Sequence, residues 1–234
     1  MHLLVCFALK EEAAPFRKMV AGRPDISILI TGIGRKNVEK SVREFLATSA
    51  PGLMLTCGFA GGLNPDLKLG DVVFKTSFPG SSRGDEAQTE IGNQSEPPYV
   101  GCYEKLVAAG AKPVRFFCAD RIATTVDEKR KLRAETGADA VEMESEAIHT
   151  VCRERGIPCA TVRVISDTAD EDLPLDFNRL SKPDQSLDYG KLAWAIAKSP
   201  RKIGALMQLQ KQTRFAAERL AEVLSKIIIG DQPR

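Results

Sequence analysis

Histidine is almost absent from this 234-residue chain, which contains only His2 and His149. None of the six cysteines forms a C-x-x-C pair, so the side chains that usually bind zinc cannot be assembled into a ligand set. Most of the cysteines lie inside apolar runs, which indicates reduced, buried thiols of a cytosolic protein. We therefore expect no metal site.

An excess of charge of one sign is also missing, because 33 Lys and Arg residues balance 31 Asp and Glu residues. This balance gives no bulk field that would attract nucleic acid or an anionic membrane, so we expect neither as a partner. No apolar run approaches the roughly 20 residues of a transmembrane helix. The apolar segment from Met1 to Leu9 lacks a basic n-region and is followed at once by Lys10, which indicates a first strand rather than a signal peptide. We expect a cytoplasmic location.

Strand-like and helix-like segments alternate along the chain. The strand-like apolar runs are His2 to Ala8, Ser27 to Thr31, Leu53 to Cys57, Asp71 to Thr76, Arg115 to Ala119 and Cys159 to Ile165. The segments with helical period are Glu11 to Val20, Lys36 to Ala47, Tyr103 to Ala109, Asp127 to Glu135 and Met143 to Arg155. Several strands are continuously apolar, which is typical of strands covered on both faces. The pattern predicts one α/β domain over residues 1–234, with three α/β/α layers around a twisted, mostly parallel sheet.

Two stretches differ from this alternation. Residues Pro79 to Pro98 are rich in Gly, Ser, Asn, Gln and Pro, which predicts a mobile surface loop. From Ser181 onward the composition becomes helical and basic, and Pro200 is expected to open a long helix that ends near Ile229. We expect residues 178–234 to form a helical extension that packs on the sheet or on a partner subunit. A helix lying on a membrane surface is the alternative.

Ligands of open α/β sheets bind at the carboxyl ends of the strands, so polar groups at those ends are candidates for function. Glu12 follows the first strand and either complements the dipole of its helix or acts in catalysis. The three glycines between Gly58 and Gly62 allow a tight turn and a close approach of the backbone to a ligand. Asp167 comes directly after a buried strand, whereas Asp170 and Asp172 are expected to be loop and capping residues.

The segment from Val141 to Ile148 contains three glutamates. On a helix, Glu142, Glu146, His149 and Arg153 would share a polar face, while Glu144 would share a face with apolar side chains. A carboxylate on an apolar face needs a partner, because an unpaired buried charge is very costly. Two explanations remain open for Glu144: a structural ion pair, for example with Arg163, or a role in binding substrate hydroxyls.

Four segments in this order resemble the nucleoside phosphorylase/nucleosidase superfamily. In chain order they are Gly-Phe-Ala-Gly-Gly-Leu at 58–63, Leu-Gly-Asp-Val-Val at 69–73, Ala-Val-Glu-Met-Glu-Ser at 140–145 and Arg-Val-Ile-Ser-Asp-Thr-Ala-Asp at 163–170, and the third and fourth are the strongest. The resemblance runs from Met1 to about Phe177 and is greatest to the methylthioadenosine/S-adenosylhomocysteine nucleosidases. It implies a mixed sheet, a small purine nucleoside as substrate, N-glycosidic bond cleavage without a cofactor, and a homodimer.

The resemblance also assigns roles to particular residues. It makes Asp167 the acid that protonates N7 of the purine and Glu12 the carboxylate that activates the attacking water. Glu144 would bind the ribose 2′- and 3′-hydroxyls, with Met143 packed beneath the sugar. The wall that stacks on the base and presents backbone groups to it would lie near Phe117, Arg121, Ile122 and Ala123. Phe177 would close the pocket, often from the neighbouring subunit. The other implied contacts are Phe59, Ala60 and Gly61 of the glycine-rich segment and Ser166 beside the acid.

The chain departs from the phosphorolytic relatives at two positions. Thr56 and Phe59 stand where those enzymes carry an arginine and a hydroxyl residue that hold phosphate, which favours water as the nucleophile. The segment from Asp172 to Phe177 and the basic C-terminal helix resemble hopanoid-associated, adenosylhopane-cleaving phosphorylases, and a futalosine-type hydrolase is a further alternative. A non-catalytic nucleoside-binding or storage protein on the same fold is the third, but the presence of all three carboxylates argues against it.

Overall fold

The computed structural model describes residues 2–77, 100–180, 182, 190–191 and 202–230. Within these residues the strands are β1 (Leu3–Phe7), β2 (Ile26–Ile30), β3 (Leu53–Gly62), β4 (Val72–Ser77), β5 (Lys112–Pro113), β6 (Phe116–Cys118), β7 (Ala140–Glu142) and β8 (Cys159–Asp167). The helices are α1 (Lys10–Met19), α2 (Arg35–Leu46), α3 (Val100–Ala108), α4 (Val126–Thr136), α5 (Ser145–Arg155), α6 (Phe177–Leu180) and α7 (Ile203–Ile229). The predicted alternation of strands and helices is therefore confirmed.

The strands form one mixed sheet in the order β2-β1-β3-β8-β4-β5, and β7 joins β6 to the end of β3. The pairs β1–β2, β1–β3, β3–β8, β4–β5 and β6–β7 are parallel. The pairs β4–β8 and β3–β7 are antiparallel. The sheet is thus mostly parallel, as predicted, and β3 and β8 lie at its centre.

Helices cover both faces of the sheet, and the alternation of side chains along β1 shows how. Val5 belongs to a buried cluster with Phe16 of α1 and Leu220 of α7. The next residue, Cys6, belongs to a second cluster on the other face with Val38 of α2. Because successive side chains of a strand point to opposite faces, each central strand contributes to both clusters. This confirms the predicted three layers.

The C-terminal helix α7 is part of the core rather than an appendage. Leu220, Val223 and Leu224 are buried in the cluster that contains α1 and β1. The expectation that this helix packs on the sheet is confirmed, and its apolar face is not available to a membrane over that half. No helix in the described part of the chain is long and apolar enough to cross a bilayer. The predicted loop from Pro79 to Pro98 and most of the segment between Ser181 and Pro200 lie outside the described residues.

The predicted helix from Met143 to Arg155 starts too early, and the prediction that Glu142 lies on its polar face is wrong. Glu142 ends strand β7, whose backbone pairs with β3 on one side and β6 on the other. Helix α5 begins only at Ser145. The change from strand to helix takes two residues, and it places Glu142 in the interior, where it is 4% exposed.

The expected tight turn at the glycine-rich segment is also absent. Strand β3 continues through it to Gly62, pairing with β8 from Met54 to Gly61. Gly61 and Gly62 also pair with β7 on the other edge. The glycines therefore serve close packing along an extended strand rather than a reversal of the chain.

Candidate active site

Glu12 is buried although it lies in the first turn of a helix. Its Oε2 accepts a hydrogen bond of 2.9 Å from the Leu9 N–H, and its Oε1 accepts one of 2.9 Å from the Phe59 N–H. Burial raises the pKa of Glu12, while these two backbone donors oppose the shift. The carboxylate therefore both caps α1 and attaches that helix to β3. A buried carboxylate with a raised pKa is a suitable proton acceptor.

Gly58 makes room for this carboxylate. Its φ of +148° is disfavoured for residues with a side chain, and a Cβ there would lie 2.8 Å from Glu12 Oε1. The glycine thus allows close approach to the strand, as the sequence indicated. The group that approaches it in the described structure is the Glu12 side chain.

A second buried carboxylate, Glu142, forms the principal ion pair with Arg163 of β8. Arg163 Nη2 lies 2.7 Å from Glu142 Oε2 and also donates to Thr56 Oγ1 over 3.1 Å. Glu142 accepts hydrogen bonds from the Glu144 and Ser145 N–H groups and from the Ser145 hydroxyl. Burial alone would raise the pKa of Glu142, but Arg163 and these donors hold it below its usual value. Glu142 is therefore an ionised structural group.

Glu144 is held much more loosely. Its Oε2 lies 3.6 Å from Arg163 Nη2, and its Oε1 accepts a long hydrogen bond of 3.5 Å from the Gly34 N–H. Burial raises the pKa of Glu144 to about 7, with Arg163 opposing and Glu142 and Glu12 adding to the shift. A buried carboxylate without short partners has unused acceptor capacity, which suits it to bind hydroxyl groups.

Asp167 ends β8 and is buried with both oxygens occupied. The Ser166 hydroxyl lies 2.8 Å from Asp167 Oδ1, and Lys129 Nζ lies 2.6 Å from Oδ2. A Cβ on Gly61 would lie 3.2 Å from Oδ2, so the absence of a side chain there leaves space for this carboxylate. Asp170 and Asp172 lie in the following loop, where Asp172 accepts a hydrogen bond from the Val126 N–H at the start of α4. The prediction that Asp170 and Asp172 are loop and capping residues, unlike Asp167 at the end of the strand, is confirmed.

The three carboxylates predicted to act together lie around one short part of β3. Glu12 bonds to the Phe59 N–H, and Asp167 lies against Gly61. Glu144 approaches Arg163, which is paired with Gly58 across the β3–β8 ladder. Glu12 and Glu144 are also close enough to affect each other electrostatically. The roles assigned to them remain predictions.

Two of the residues predicted to contact the base, Ile122 and Phe177, lie at a hydrogen-bonded clamp between the segment that precedes α4 and helix α6. The Ile122 N–H donates to Asn178 Oδ1 over 2.9 Å, and Asn178 Nδ2 donates to the Ile122 carbonyl over 2.9 Å. Phe177 precedes Asn178 at the start of α6, so the clamp fixes its position relative to Ile122. Phe117 lies on β6 opposite Val141 of β7, two residues before Met143. Ala123, beside Ile122, is buried.

Sequence reasoning did not identify Lys129 or Asn178 as part of this region. Lys129 lies in the run Asp-Glu-Lys-Arg-Lys, which is typical of a solvated helix. Asn178 follows the last residue of the recognised pattern. In both cases the partner is about 40 or more residues distant in the chain, so local pattern carries no signal. No cluster of His, Cys, Asp or Glu suited to a metal occurs among the described residues.

Comparison with known proteins identifies the family. A family model described as Phosphorylase superfamily matches residues 10–197. The 5′-methylthioadenosine/S-adenosylhomocysteine nucleosidase of Shewanella halifaxensis is 30% identical over 173 residues, which is 68% of this chain and 75% of that protein. The protein of the same name from Staphylococcus aureus is 28% identical over 167 residues, which is 65% of this chain and 73% of that one.

Solved structures agree with this assignment at the level of the fold. A Helicobacter pylori methylthioadenosine nucleosidase mutant holding 5′-methylthioadenosine superposes with a TM-score of 0.66 at 17% identity, covering 97% of this chain and 98% of that one. Futalosine hydrolase of Helicobacter pylori superposes with a TM-score of 0.67 at 19% identity, covering 98% and 97%.

The fold and the curated relatives together identify an α/β enzyme of the nucleosidase type, in agreement with the sequence prediction. The chain belongs to the Phosphorylase superfamily.

Proposed function

We propose that this enzyme hydrolyses the N-glycosidic bond of an adenosine derivative with a 5′ substituent, releasing adenine and a ribose derivative. The observation that carries the proposal is the grouping of Glu12, Glu144 and Asp167 around the Gly58–Gly61 stretch of β3. The curated relatives, which are named for methylthioadenosine and S-adenosylhomocysteine, support the choice of substrate class.

The chemistry requires one group of each kind. N-ribosyl cleavage passes through a positively charged, oxocarbenium-like state, and the departing purine needs a proton. In the proposal Asp167 gives that proton to N7, Glu12 accepts a proton from the attacking water, and Glu144 binds the ribose hydroxyls. A carboxylate near the developing positive charge accelerates the reaction because it stabilises the transition state more than the bound substrate.

Water is favoured over phosphate because the nearby cations are already paired. Arg163 is bonded to Glu142 and to Thr56, the residue that stands where phosphorolytic relatives carry an arginine. Lys129 is bonded to Asp167. A phosphate dianion at this site would face three carboxylates without a free guanidinium among the groups described around them, which disfavours its binding.

Release of free adenine by the purified protein tests the proposal. We expect release from methylthioadenosine or S-adenosylhomocysteine at equal rates with and without phosphate, and futalosine and adenosylhopane should be assayed in parallel. Asp167→Asn should lower the rate by about 10²- to 10⁴-fold, the usual contribution of a general acid. Asp170→Asn is the matched control, since Asp170 is exposed and its carboxylate pairs with Arg130. Phosphate-dependent release, or normal turnover by Asp167→Asn, would contradict the assignment.

The homodimer implied by the resemblance and the cytoplasmic location expected from the cysteines and the N-terminal segment are part of the same proposal. Sedimentation of the purified protein tests the first, since a dimer should have twice the 25.5 kDa mass of the chain.

A further inference from the structure

The ammonium group of Lys129 is completely buried and fully hydrogen-bonded. Its Nζ lies 2.6 Å from Asp167 Oδ2, 2.6 Å from the Thr168 carbonyl and 2.8 Å from the Glu171 carbonyl. An ammonium has three protons, and here each has one acceptor. Because a buried ammonium without hydrogen-bond acceptors is very costly, these three oxygens together make burial of the lysine tolerable.

Attachment of the loop after β8 does not depend on Lys129 alone. Asp172 accepts a hydrogen bond of 2.6 Å from the Val126 N–H, and the Leu173 N–H donates to the Thr124 carbonyl over 2.8 Å. These bonds connect the same loop to the start of α4 without using the lysine. If an uncharged side chain replaced Lys129, these bonds would still join the loop to α4. Holding the loop in place therefore does not explain why Lys129 contacts Asp167.

The two oxygens of Asp167 have different surroundings. Oδ2 is held by the ammonium, while Oδ1 lies 2.8 Å from the Ser166 hydroxyl. That hydroxyl also lies 3.4 Å from the Ala60 carbonyl, so it has two acceptors for one proton. When Asp167 is ionised, Ser166 donates to Oδ1. When Oδ1 carries a proton, Ser166 can instead donate to Ala60.

We propose that Lys129 is a positioning residue for base release: it occupies Oδ2, so that Oδ1 carries the proton that is given to the purine. The inference rests on the proposed function, because it takes Asp167 as the acid. As the proton leaves Oδ1 for the ring nitrogen, the electron pair of the C1′–N bond moves to the purine. Water supplies hydroxide to C1′, and its remaining proton goes to Glu12. The carboxylate left at Asp167 is stabilised by the adjacent ammonium.

The test compares two leaving groups, of which only one needs a proton. Methylthioadenosine releases adenine, whereas the corresponding 5′-methylthio p-nitrophenyl riboside releases a phenolate that departs unprotonated. Lys129→Met should lower kcat for methylthioadenosine by about 100-fold, with KM changed less than about 3-fold. It should lower kcat for the p-nitrophenyl substrate by less than about 3-fold, because acid catalysis contributes little to that reaction. Lys131→Met, an exposed position on the same helix, should match the wild type on both substrates.

Lys129→Arg provides a second comparison, since it keeps the positive charge but moves the donors. Lys129→Arg should release adenine faster than Lys129→Met. Its kcat should still fall for methylthioadenosine and not for the p-nitrophenyl substrate. If Lys129→Met does not fold, this comparison decides the question. Equal losses on both substrates, or full activity of Lys129→Met on methylthioadenosine, would overturn the inference. If Asp167→Asn loses adenine release while Lys129→Met does not, only this inference fails. If the wild type cleaves neither substrate, the proposed function fails with it.

Discussion

Arg163 lies 2.7 Å from Glu142 and 3.6 Å from Glu144, so two glutamates that are nearly adjacent in sequence have different environments. Glu142 ends a strand, whereas Glu144 stands at the start of helix α5. The shorter pair fixes Arg163 in the interior and leaves Glu144 with acceptor capacity for a ligand. The structural ion pair anticipated for Glu144 is therefore made mainly by its neighbour.

This difference predicts opposite effects for the same substitution at the two sites. Glu142→Gln should lower the free energy of unfolding by about 3–5 kcal/mol, because it leaves the buried Arg163 without its main partner. Glu144→Gln should not lower stability at pH 7 and should raise KM for nucleosides by at least tenfold. Denaturant unfolding and steady-state kinetics on both variants measure these effects. A large loss of stability in Glu144→Gln with normal KM would assign Glu144 to structure instead.

The raised pKa of Glu144 predicts a dependence of stability on pH. Folding favours the protonated carboxyl, so its contribution to stability is fully present below the ordinary pKa of 4.5 and is lost as pH rises through about 7. Glu144→Gln removes this titration, so its stability should rise relative to that of the wild type as pH increases from about 4.5 to about 7, by about 3 kcal/mol from the size of the shift. Unfolding of the two proteins at several pH values measures the difference.

The control for this experiment is Glu146→Gln, because Glu146 is exposed and bonded to Arg35 on the surface. This variant should not show the growing difference expected of Glu144→Gln, because no buried carboxyl is removed. A difference between wild type and Glu144→Gln that is constant over the same pH range would mean that Glu144 keeps its ordinary titration in the folded protein.

The backbone at Gly58 gives a third prediction. Gly58→Ala introduces a Cβ 2.8 Å from Glu12 Oε1 at a φ of +148°, so the Glu12 carboxylate must move away from the Phe59 N–H. We expect a loss of more than about 2 kcal/mol of stability, combining backbone strain with a weakened buried hydrogen bond. The catalytic rate should fall at least tenfold in the protein that remains folded. Thermal unfolding and kcat, measured below the unfolding transition, separate the two effects.

Gly22→Ala is a suitable control, since Gly22 also has a positive φ of +82° but no atom within 4 Å of the added Cβ. It should cost about 1–2 kcal/mol through strain alone and leave kcat unchanged. If Gly58→Ala kept the kcat of the wild type, as Gly22→Ala should, Glu12 would not need its present position for catalysis.

The elements with strong periodicity could be predicted from the sequence, and the short ones could not. Strand β1 begins within a residue of its predicted start, because its apolar run has a clear length and is followed by charges. Strand β7 has three residues, which are too few for a periodic signal. Its last residue, Glu142, also fitted the polar face of the helix predicted to follow. The burial of Lys129 could not be predicted from the sequence either, because its acceptors lie on a loop about 40 residues further along the chain.

The clamp between Asn178 and Ile122 makes the last prediction. Ile122 is expected to present its backbone N–H and carbonyl to the base, but both are bonded to the Asn178 carboxamide. A purine would therefore have to replace this carboxamide. The match is close, because the amide oxygen and nitrogen correspond to N1 and the 6-amino group of adenine. Asn178→Ala removes this competitor, so KM for adenine nucleosides should fall about 5-fold, the worth of one net hydrogen bond of about 1 kcal/mol, with kcat little changed. Inosine derivatives, which reverse donor and acceptor at that edge, should not benefit, and Arg179→Ala, at an exposed neighbour, should have no effect. A higher KM in Asn178→Ala would instead show that the clamp supports the wall in its binding shape, and that the base is recognised through other groups.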